Sequence, residues 1–63
     1  MSAHEKMKVA ERELALRRRV YPRWIHAGKL TVRDARYEIE AMAEIVEDYR
    51  KIHMDQEKEG LLL

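Results

Sequence analysis

The residues best suited to chemistry in this sequence are cations and aromatic rings within one stretch of eight, Arg17–Trp24. It holds four of the thirteen basic side chains and two of the four aromatic ones. Guanidinium groups bind phosphate or carboxylate oxygens in pairs, and Tyr and Trp offer faces on which a base stacks. The N-terminus of the next predicted helix, close by, also attracts anions. The pattern favours a phosphate-binding site formed by Arg17, Arg18, Arg19, Tyr21, Arg23, Trp24, Lys29 and Thr31.

The same stretch also has a purely structural interpretation. Arginines on a helix commonly face solvent and pair with nearby carboxylates, here those of Glu38, Glu40 and Glu44. Aromatic residues at helical spacing commonly belong to the core. Arg17 fits this interpretation least well, because it falls in the apolar stripe, where a buried guanidinium needs a partner. Both interpretations stay open from the sequence.

Other functional classes find little support in the sequence. The absence of cysteine removes thiolate zinc sites, cysteine nucleophiles and disulfides. The three histidines are scattered, and His4-Glu5 lacks the second histidine of a helical zinc-protease motif. There is no Ser-His-Asp set, P-loop or dinucleotide fingerprint. We therefore predict a protein that is not an enzyme and that uses no cofactor or metal.

The length and the charge of the chain further restrict the kind of protein that it can be. The chain has 63 residues, a formal net charge of only +1 and 40% charged residues. Residues 1–30 carry eight basic and three acidic side chains, whereas residues 31–63 carry five basic and nine acidic. The two halves therefore complement each other, within one chain or between copies. No apolar run approaches the roughly 20 residues of a membrane span, so we expect a cytoplasmic protein without a membrane partner.

Hydrophobic periodicity predicts an all-α chain with two helices. Apolar residues recur at alternating steps of three and four, which predicts one helix from Ala3 to about Ala27 and another from Val32 to about Lys58. The first stripe comprises Met7, Ala10, Leu14, Tyr21 and Trp24, and the second Val32, Ala35, Ile39, Met42, Val46, Tyr49 and His53.

Helix-breaking and capping residues mark the boundaries. Pro22 lacks an N–H and is expected to kink the first helix or to restart it. Gly28 is expected to end this helix in a left-handed conformation, and Thr31, with an acidic residue three positions on, to cap the next. Gly60 is expected to end the second helix and to begin an apolar tail over residues 60–63.

So short a turn, residues 28–31, predicts an antiparallel hairpin that forms a single domain over residues 1–63. Facing residue numbers should then sum to roughly 59. This register places Trp24 by Ala35, Tyr21 by Glu38 and Ile39, Leu14 by Ile45, Ala10 by Tyr49, and His53 by Lys6. It also pairs Arg19 with Glu40 and Arg12 with Glu47.

One hairpin leaves several apolar residues uncovered, namely Ile25, Leu30, Ile45, Ile52 and Leu61–Leu63. Burial of apolar surface at about 25 cal/mol per Å², set against about 1.5 kcal/mol of ordering entropy per residue, leaves so small a hairpin near zero stability. We therefore predict a homo-oligomer, either a four-helix dimer or a larger ring. The alternative is that a different protein covers the same faces.

The chain carries a distinctive string, RRRVYPRWIHAGKLT, at Arg17–Thr31. Spaced residues of the second helix follow it, namely Ala35, Glu38-Ile39, Met42, Ile45 and Asp48-Tyr49. In these features the chain resembles a family of small helical phage and prophage proteins with the pattern RRxVYPRW…GKLT…AxxEIxxMxxI. The resemblance extends over about Glu13 to Arg50, and it is specific in VYPRW and generic in the second helix. It implies a phage origin, and hence the cytoplasm of a bacterial host.

The phage resemblance suggests a role by analogy. Phage genes of this size often encode inhibitors of host defence, and one strategy is a small helical oligomer that sequesters the nucleotide messenger of a bacterial immune system. The expected ligand is then a cyclic nucleotide, held by the arginines and aromatic rings where subunits meet. Two alternatives stay open. One is a module that inhibits or assembles with a host or phage protein, such as a host defence protein. The other is a nucleic-acid-binding accessory protein, although a helix-turn-helix domain would need a third helix.

Overall fold

The computed structural model describes residues 1–62 and consists of two helices, with no strand in that range. Helix α1 spans Ala3–His26 and helix α2 spans Val32–Leu62. Residues early in α1 contact residues late in α2, so the helices are antiparallel and form a rod of 54 × 16 × 14 Å. The predicted all-α hairpin is confirmed. Neither helix has the length and apolar character needed to cross a membrane.

Ser2 is the N-cap of α1. The backbone N–H of Glu5 donates to Ser2 Oγ at 3.1 Å, and Ser2 Oγ donates to Glu5 Oε1 at 3.3 Å. These bonds satisfy one of the backbone donors that a helix N-terminus leaves open. The start at Ala3 agrees with the prediction, which did not include Ser2 as the cap. The signal was present in the spacing S-x-x-E.

Helix α1 continues through Pro22 without interruption, so the predicted restart of the helix there is wrong. Proline removes one hydrogen bond, the one that would reach the carbonyl of Arg18. Arg18 is exposed, and water can therefore take the place of the missing donor. The helix ends four residues later, at His26, so the missing bond lies close to its C-terminal end. A kink at Pro22 stays a prediction.

The turn between the helices confirms the predicted role of Gly28. Its φ of 74° lies in the left-handed region, where glycine avoids the clash of a Cβ. The N–H of Gly28 donates to the carbonyl of Ile25 at 3.0 Å, and the N–H of Lys29 donates to that of Trp24 at 2.8 Å. This is the Schellman arrangement, which satisfies carbonyls at the end of α1 and reverses the chain.

Thr31 caps α2 as predicted. The N–H of Asp34 donates to Thr31 Oγ1 at 3.0 Å, and the N–H of Ala35 donates to the Thr31 carbonyl at 3.0 Å. The other end differs from the prediction, because α2 passes Lys58 and Gly60 and continues to Leu62. Glycine in a helix costs about 1 kcal/mol relative to alanine, and the leucines beyond it favour the helix. Of the predicted tail, only Leu63 lies outside the described residues.

The core is a narrow seam of small residues. The buried residues are Ala3, Met7 and Ala10 of α1 and Ala35 and Val46 of α2. Other predicted members are half-buried, namely Leu14, Tyr21, Ile39, Met42, Tyr49 and His53. Trp24 and Val32 are exposed, so the predicted seam is wrong near the turn. Two helices enclose only one line of contacts, and a large indole near its end has too few neighbours to cover it.

The observed register agrees with the prediction to within about one helical turn. Cross-helix contacts join residues whose numbers sum to 55 (Arg17 and Glu38), 57 (His4 and His53) and 61 (Glu11 and Arg50). Within the described residues the predicted pairs Arg12–Glu47 and Arg19–Glu40 do not form. Arg50 binds both Glu11, at 3.8 Å, and Glu47, at 3.7 Å. Arg12 and Arg19 are exposed.

Gly28→Ala is expected to lower the free energy of unfolding by about 1 kcal/mol or more, since alanine is strained at this positive φ although space is available for its Cβ. Gly60→Ala is the matched control. A Cβ there also meets open space, and within a helix alanine should raise stability by up to about 1 kcal/mol. Urea unfolding followed by circular dichroism, at one protein concentration, measures both. Destabilisation of equal size by the two variants would contradict the assigned turn.

Candidate functional site

Arg17, the first residue of the predicted site, joins the two helices. Its Nε donates to Glu13 Oε1 at 3.0 Å, while Nη1 donates to the Glu38 carbonyl at 3.0 Å and to Glu38 Oε2 at 3.3 Å. The Arg17 side chain is only 20% exposed. The expectation that an arginine in the seam needs a partner is confirmed. A role for Arg17 in holding phosphate stays a prediction, and these bonds already use much of its donor capacity.

The other predicted cations are exposed side chains. Arg18, Arg19, Arg23 and Lys29 are all exposed, and among residues 1–62 the ion pairs within 4.0 Å involve other cations, namely Lys8, Arg17, Arg50 and His53. The structural interpretation, in which the arginine run pairs with acids of α2, therefore holds only for Arg17 with Glu38. The remaining positive charges are left to solvent or to a ligand.

The three consecutive arginines do not converge on one spot. Successive residues of an α-helix point about 100° apart. Arg17 lies against α2, whereas Arg19 borders a shallow groove on the outer surface of α1, together with Arg12 and Leu16. Arg23 follows Arg19 by four residues and lies on that same outer side. The structure therefore divides the predicted cluster into one interhelical arginine and several outward cations.

The two aromatic rings of the stretch lie together. The ring centroids of Tyr21 and Trp24 are 5.4 Å apart, with an interplanar angle of 31°. Tyr21 is half-buried in the seam, and Trp24 is 46% exposed. This geometry leaves part of the indole open to a flat ligand, backed by the phenol ring.

The turn residues of the predicted site already make backbone contacts. Thr31 Oγ1 accepts the N–H of Asp34, so one of the open donors at the start of α2 is occupied. The Lys29 N–H donates to the Trp24 carbonyl, while its side chain is exposed. Lys29 is thus placed to contribute charge, and Thr31 acts here as a helix cap.

Folding gives the rod a charge polarity along its length. The loop end, residues 17–40, carries seven basic and three acidic side chains, a net charge of +4. The open end, residues 1–16 and 41–62, carries six basic and nine acidic side chains, a net charge of −3. A division of the chain at residue 30 does not reveal this polarity. Division by position along the predicted hairpin would have found it.

The histidines lie at the open end. The rings of His4 and His53 are 4.6 Å apart, and His53 Nε2 lies 3.4 Å from Glu57 Oε1. The prediction that His53 lies by Lys6 is wrong, since Lys6 sits over the Tyr49 ring at 5.7 Å. The register at this end is shifted by about one turn. Among the described residues, no group of three or more His, Asp or Glu side chains is placed to hold a metal.

Comparisons with protein-family models, with curated protein sequences and with solved structures give no match. The resemblance to phage and prophage proteins, with the role that it implies, stays a prediction.

Arg17→Lys is expected to lower the free energy of unfolding by about 1 kcal/mol, because an ammonium cannot reproduce the guanidinium contacts with both Glu13 and Glu38. The partly exposed carboxylates keep the effect moderate. Arg18→Lys, at an exposed neighbouring position, should change stability by less than about 0.5 kcal/mol. Chemical denaturation of both variants measures the difference, and an unchanged Arg17→Lys variant would contradict the assigned interhelical role.

Proposed function

We propose that this protein is a non-catalytic binding protein that self-associates and sequesters a phosphate-rich small molecule at the loop end of the hairpin. The supporting observation is the net charge of +4 on residues 17–40. Within that segment Arg18, Arg19, Arg23 and Lys29 are exposed and have no carboxylate of residues 1–62 within ion-pair distance.

The chemistry of these side chains suits a ligand with more than one phosphate. Like charges at one end of a small fold repel one another, and a multiply charged anion relieves that repulsion. Arginine forks bind phosphate oxygens in pairs. Trp24, with nearly half of its surface open, would supply a face for a base, and Tyr21 supports it from behind. A cyclic nucleotide combines these two features.

The charge polarity favours a small anion over a nucleic-acid duplex. A duplex laid along the rod would meet the positive loop end and then the open end with its net charge of −3. Phosphates in that second region would be repelled, which removes most of the counterion-release energy on which duplex binding depends. A ligand confined to the loop end avoids this repulsion.

The biological setting of the proposal comes from the phage resemblance. A phage protein of this kind would act in the cytoplasm of the bacterial host and would withhold a cyclic nucleotide immune signal from its receptor. Sequestration requires affinity and abundance, and it needs no catalytic group.

A second candidate function is a protein-interaction module, and the exposed apolar residues favour it. Val9, Leu16, Ile45 and Ile52 are exposed on a chain with very little core, and such residues are common at interfaces with other proteins. A host or phage protein would then cover them. In that case arginine substitutions should leave activity intact, whereas changes to these apolar residues should abolish it.

Calorimetric titration with a panel of cyclic di- and trinucleotides is expected to give a dissociation constant at or below tens of micromolar for at least one of them. The double variant Arg18→Ala/Arg23→Ala should weaken that affinity by about tenfold or more, since it removes two charge-assisted contacts. The matched control Lys51→Ala/Lys58→Ala removes two cations from the open end and should bind as the original protein does. Absence of binding by the whole panel, with no rise in thermal stability, would contradict the proposal.

Duplex DNA is expected to bind only at low ionic strength and to be released at about 150 mM salt, because few phosphates meet the loop end. Gel retardation across a salt series measures this. Retention of a duplex that persists at this salt concentration would favour the nucleic-acid alternative instead.

A further inference from the structure

A groove between the two helices marks one side of the hairpin, which we call the groove side. It has a volume of about 350 Å³, and its lining includes Lys6, Val9, Glu13, Met42, Ile45 and Tyr49. Arg17 belongs to this side as well, since its Nε bonds to Glu13. The ion pair of Glu11 with Arg50 lies on the opposite side, because Glu11 is two residues, or about 200° of helix rotation, from both Val9 and Glu13.

Helical spacing extends the groove side along the rod. Residues seven positions apart lie on the same side of a helix, two turns from each other. Val20, Trp24 and Ile52 each follow a residue of the groove side by seven positions, namely Glu13, Arg17 and Ile45. The exposed fractions of Val9, Trp24, Ile45 and Ile52 are between 39% and 57%, so the hairpin alone leaves these apolar side chains uncovered.

We propose that a second copy of this chain covers the groove side in the antiparallel orientation, with α1 packed on α1 and α2 packed on α2 about a twofold axis across the middle of the rod. The inference rests on the self-association proposed above, and it adds the surface and the orientation.

The charge polarity of the rod favours the antiparallel orientation. Residues 17–40, at the loop end, have a net charge of +4, and the residues of the open end have a net charge of −3. An antiparallel copy brings each loop end beside the open end of the other chain, whereas a parallel copy would bring the two positive ends together. Juxtaposed like charges disfavour an interface, and complementary charges favour it.

The groove side of α1 is complementary to itself in this orientation. Full overlap of the paired parts of the two hairpins places the axis near residue 15, so the numbers of facing residues sum to about 30. The facing pairs are then Glu13 with Arg17, Val9 with Val20, and Lys6 with Trp24. Opposite charges meet in the first pair and apolar side chains in the second. In the third pair an ammonium group meets an indole ring, which attracts cations to its face.

The groove side of α2 meets itself at an apolar patch. Contacts within the hairpin join residues whose numbers sum to between 55 and 61, so the same axis crosses α2 near residue 43. Met42 of one copy then faces Ile45 of the other. Glu38 faces Tyr49 of the second copy, and Lys6 lies over that ring, so this carboxylate also lies near a cation.

A parallel dimer would pair the central residues less well. It would set α1 against α2 of the second copy in about the register of one hairpin, with residue numbers that sum to about 58. Glu13 would then face Ile45, and Val20 would face Glu38. Each pair covers a carboxylate with an apolar side chain that offers no hydrogen bond, which costs free energy. The residue pairing and the charge polarity therefore favour the same orientation.

The size of the surface is sufficient for a specific dimer. The rod measures 54 by 16 Å between Cα atoms. Stable interfaces of standard size bury about 800 Å² on each partner, which is on the order of this rectangle.

The proposed anion site stays accessible in this dimer. Arg19 borders the outer groove of α1, and Arg23 follows it by four residues, so the second copy does not cover these two side chains. Lys6 of the second copy lies beside Trp24 and adds one cation. Each loop end would then carry an anion site to which both chains contribute.

Spin labels at two positions of α1 test the orientation. The chain has no cysteine, and Ala15 and Ala27 are exposed, so Ala15→Cys and Ala27→Cys each introduce one labelling site. The second site lies about 18 Å further along the helix. In an antiparallel dimer this displacement has opposite directions in the two chains, so the label-to-label distance in pulsed dipolar spectroscopy should be longer for Ala27→Cys by about 15 Å or more. Equal distances would indicate a parallel dimer and would overturn the inference.

Two matched substitutions test the surface. Val9 and Met54 are 57% and 59% exposed, so a glutamate at either position should leave the hairpin folded. Met54 follows Glu47, which bonds to Arg50, by seven residues and lies on the ion-paired side. Val9→Glu is expected to weaken dimerisation by about tenfold or more in sedimentation equilibrium, because it places a carboxylate in the interface, whereas Met54→Glu should leave it unchanged. An equal effect of the two variants would overturn the assigned surface.

Calorimetry with cyclic nucleotides separates this inference from the proposed ligand. An antiparallel dimer that binds none of them would support the inference and contradict the ligand. Ligand binding by a protein that stays monomeric in sedimentation would overturn the inference alone. A monomer that gives no dipolar signal and binds no cyclic nucleotide would overturn both.

Discussion

The narrowness of the seam between α1 and α2 is the constraint on which the rest of the structure depends. Three of its five buried residues are alanines, namely Ala3, Ala10 and Ala35, so the helices bury little apolar surface where they meet. The hairpin therefore relies on local bonds that set its geometry: a cap at Ser2, the turn at Gly28 and the cap at Thr31. The same constraint leaves large apolar side chains exposed, among them Val9, Leu16, Ile45 and Ile52, and the proposal of self-association rests on these residues.

The arginine-rich segment at the loop end is divided between two environments. Arg17 points toward α2 and bonds with carboxylates of both helices, and it thereby replaces an apolar contact in the seam. Arg18, Arg19 and Arg23 point in other directions and keep their charge exposed. Adjacent residues of a helix point about 100° apart, so consecutive arginines lie on different faces of the helix and have different neighbours. This divergence explains why the structural interpretation holds for Arg17, whereas ligand binding by the exposed arginines stays a proposal.

Most of the fold could be predicted because its signals are local. Hydrophobic periodicity predicts the two helices. Gly28 and Thr31 predict the turn between them, because their conformational preferences act within a few residues. Three expectations failed where local signals were weak. Pro22 lies one turn before the end of α1, and the bond that it removes would have reached an exposed residue, Arg18. Gly60 has no contact within 4 Å that would end α2, and Trp24 lies where the seam has no neighbour to enclose it. The observed ion pairs differ from the predicted ones by up to about one helical turn. Long charged side chains can reach several carboxylates at similar distances, so the spacing alone does not fix which pair forms.

The sequence by itself determined the two helices, their caps, the antiparallel turn and the need of Arg17 for a partner, since each depends on residues close in the chain or on a regular spacing. Only the tertiary structure decided which cations remain exposed and that His53 lies beside His4. The physical reason is that these properties depend on the relative rotation and register of the two helices, and small differences in packing along a narrow seam settle both.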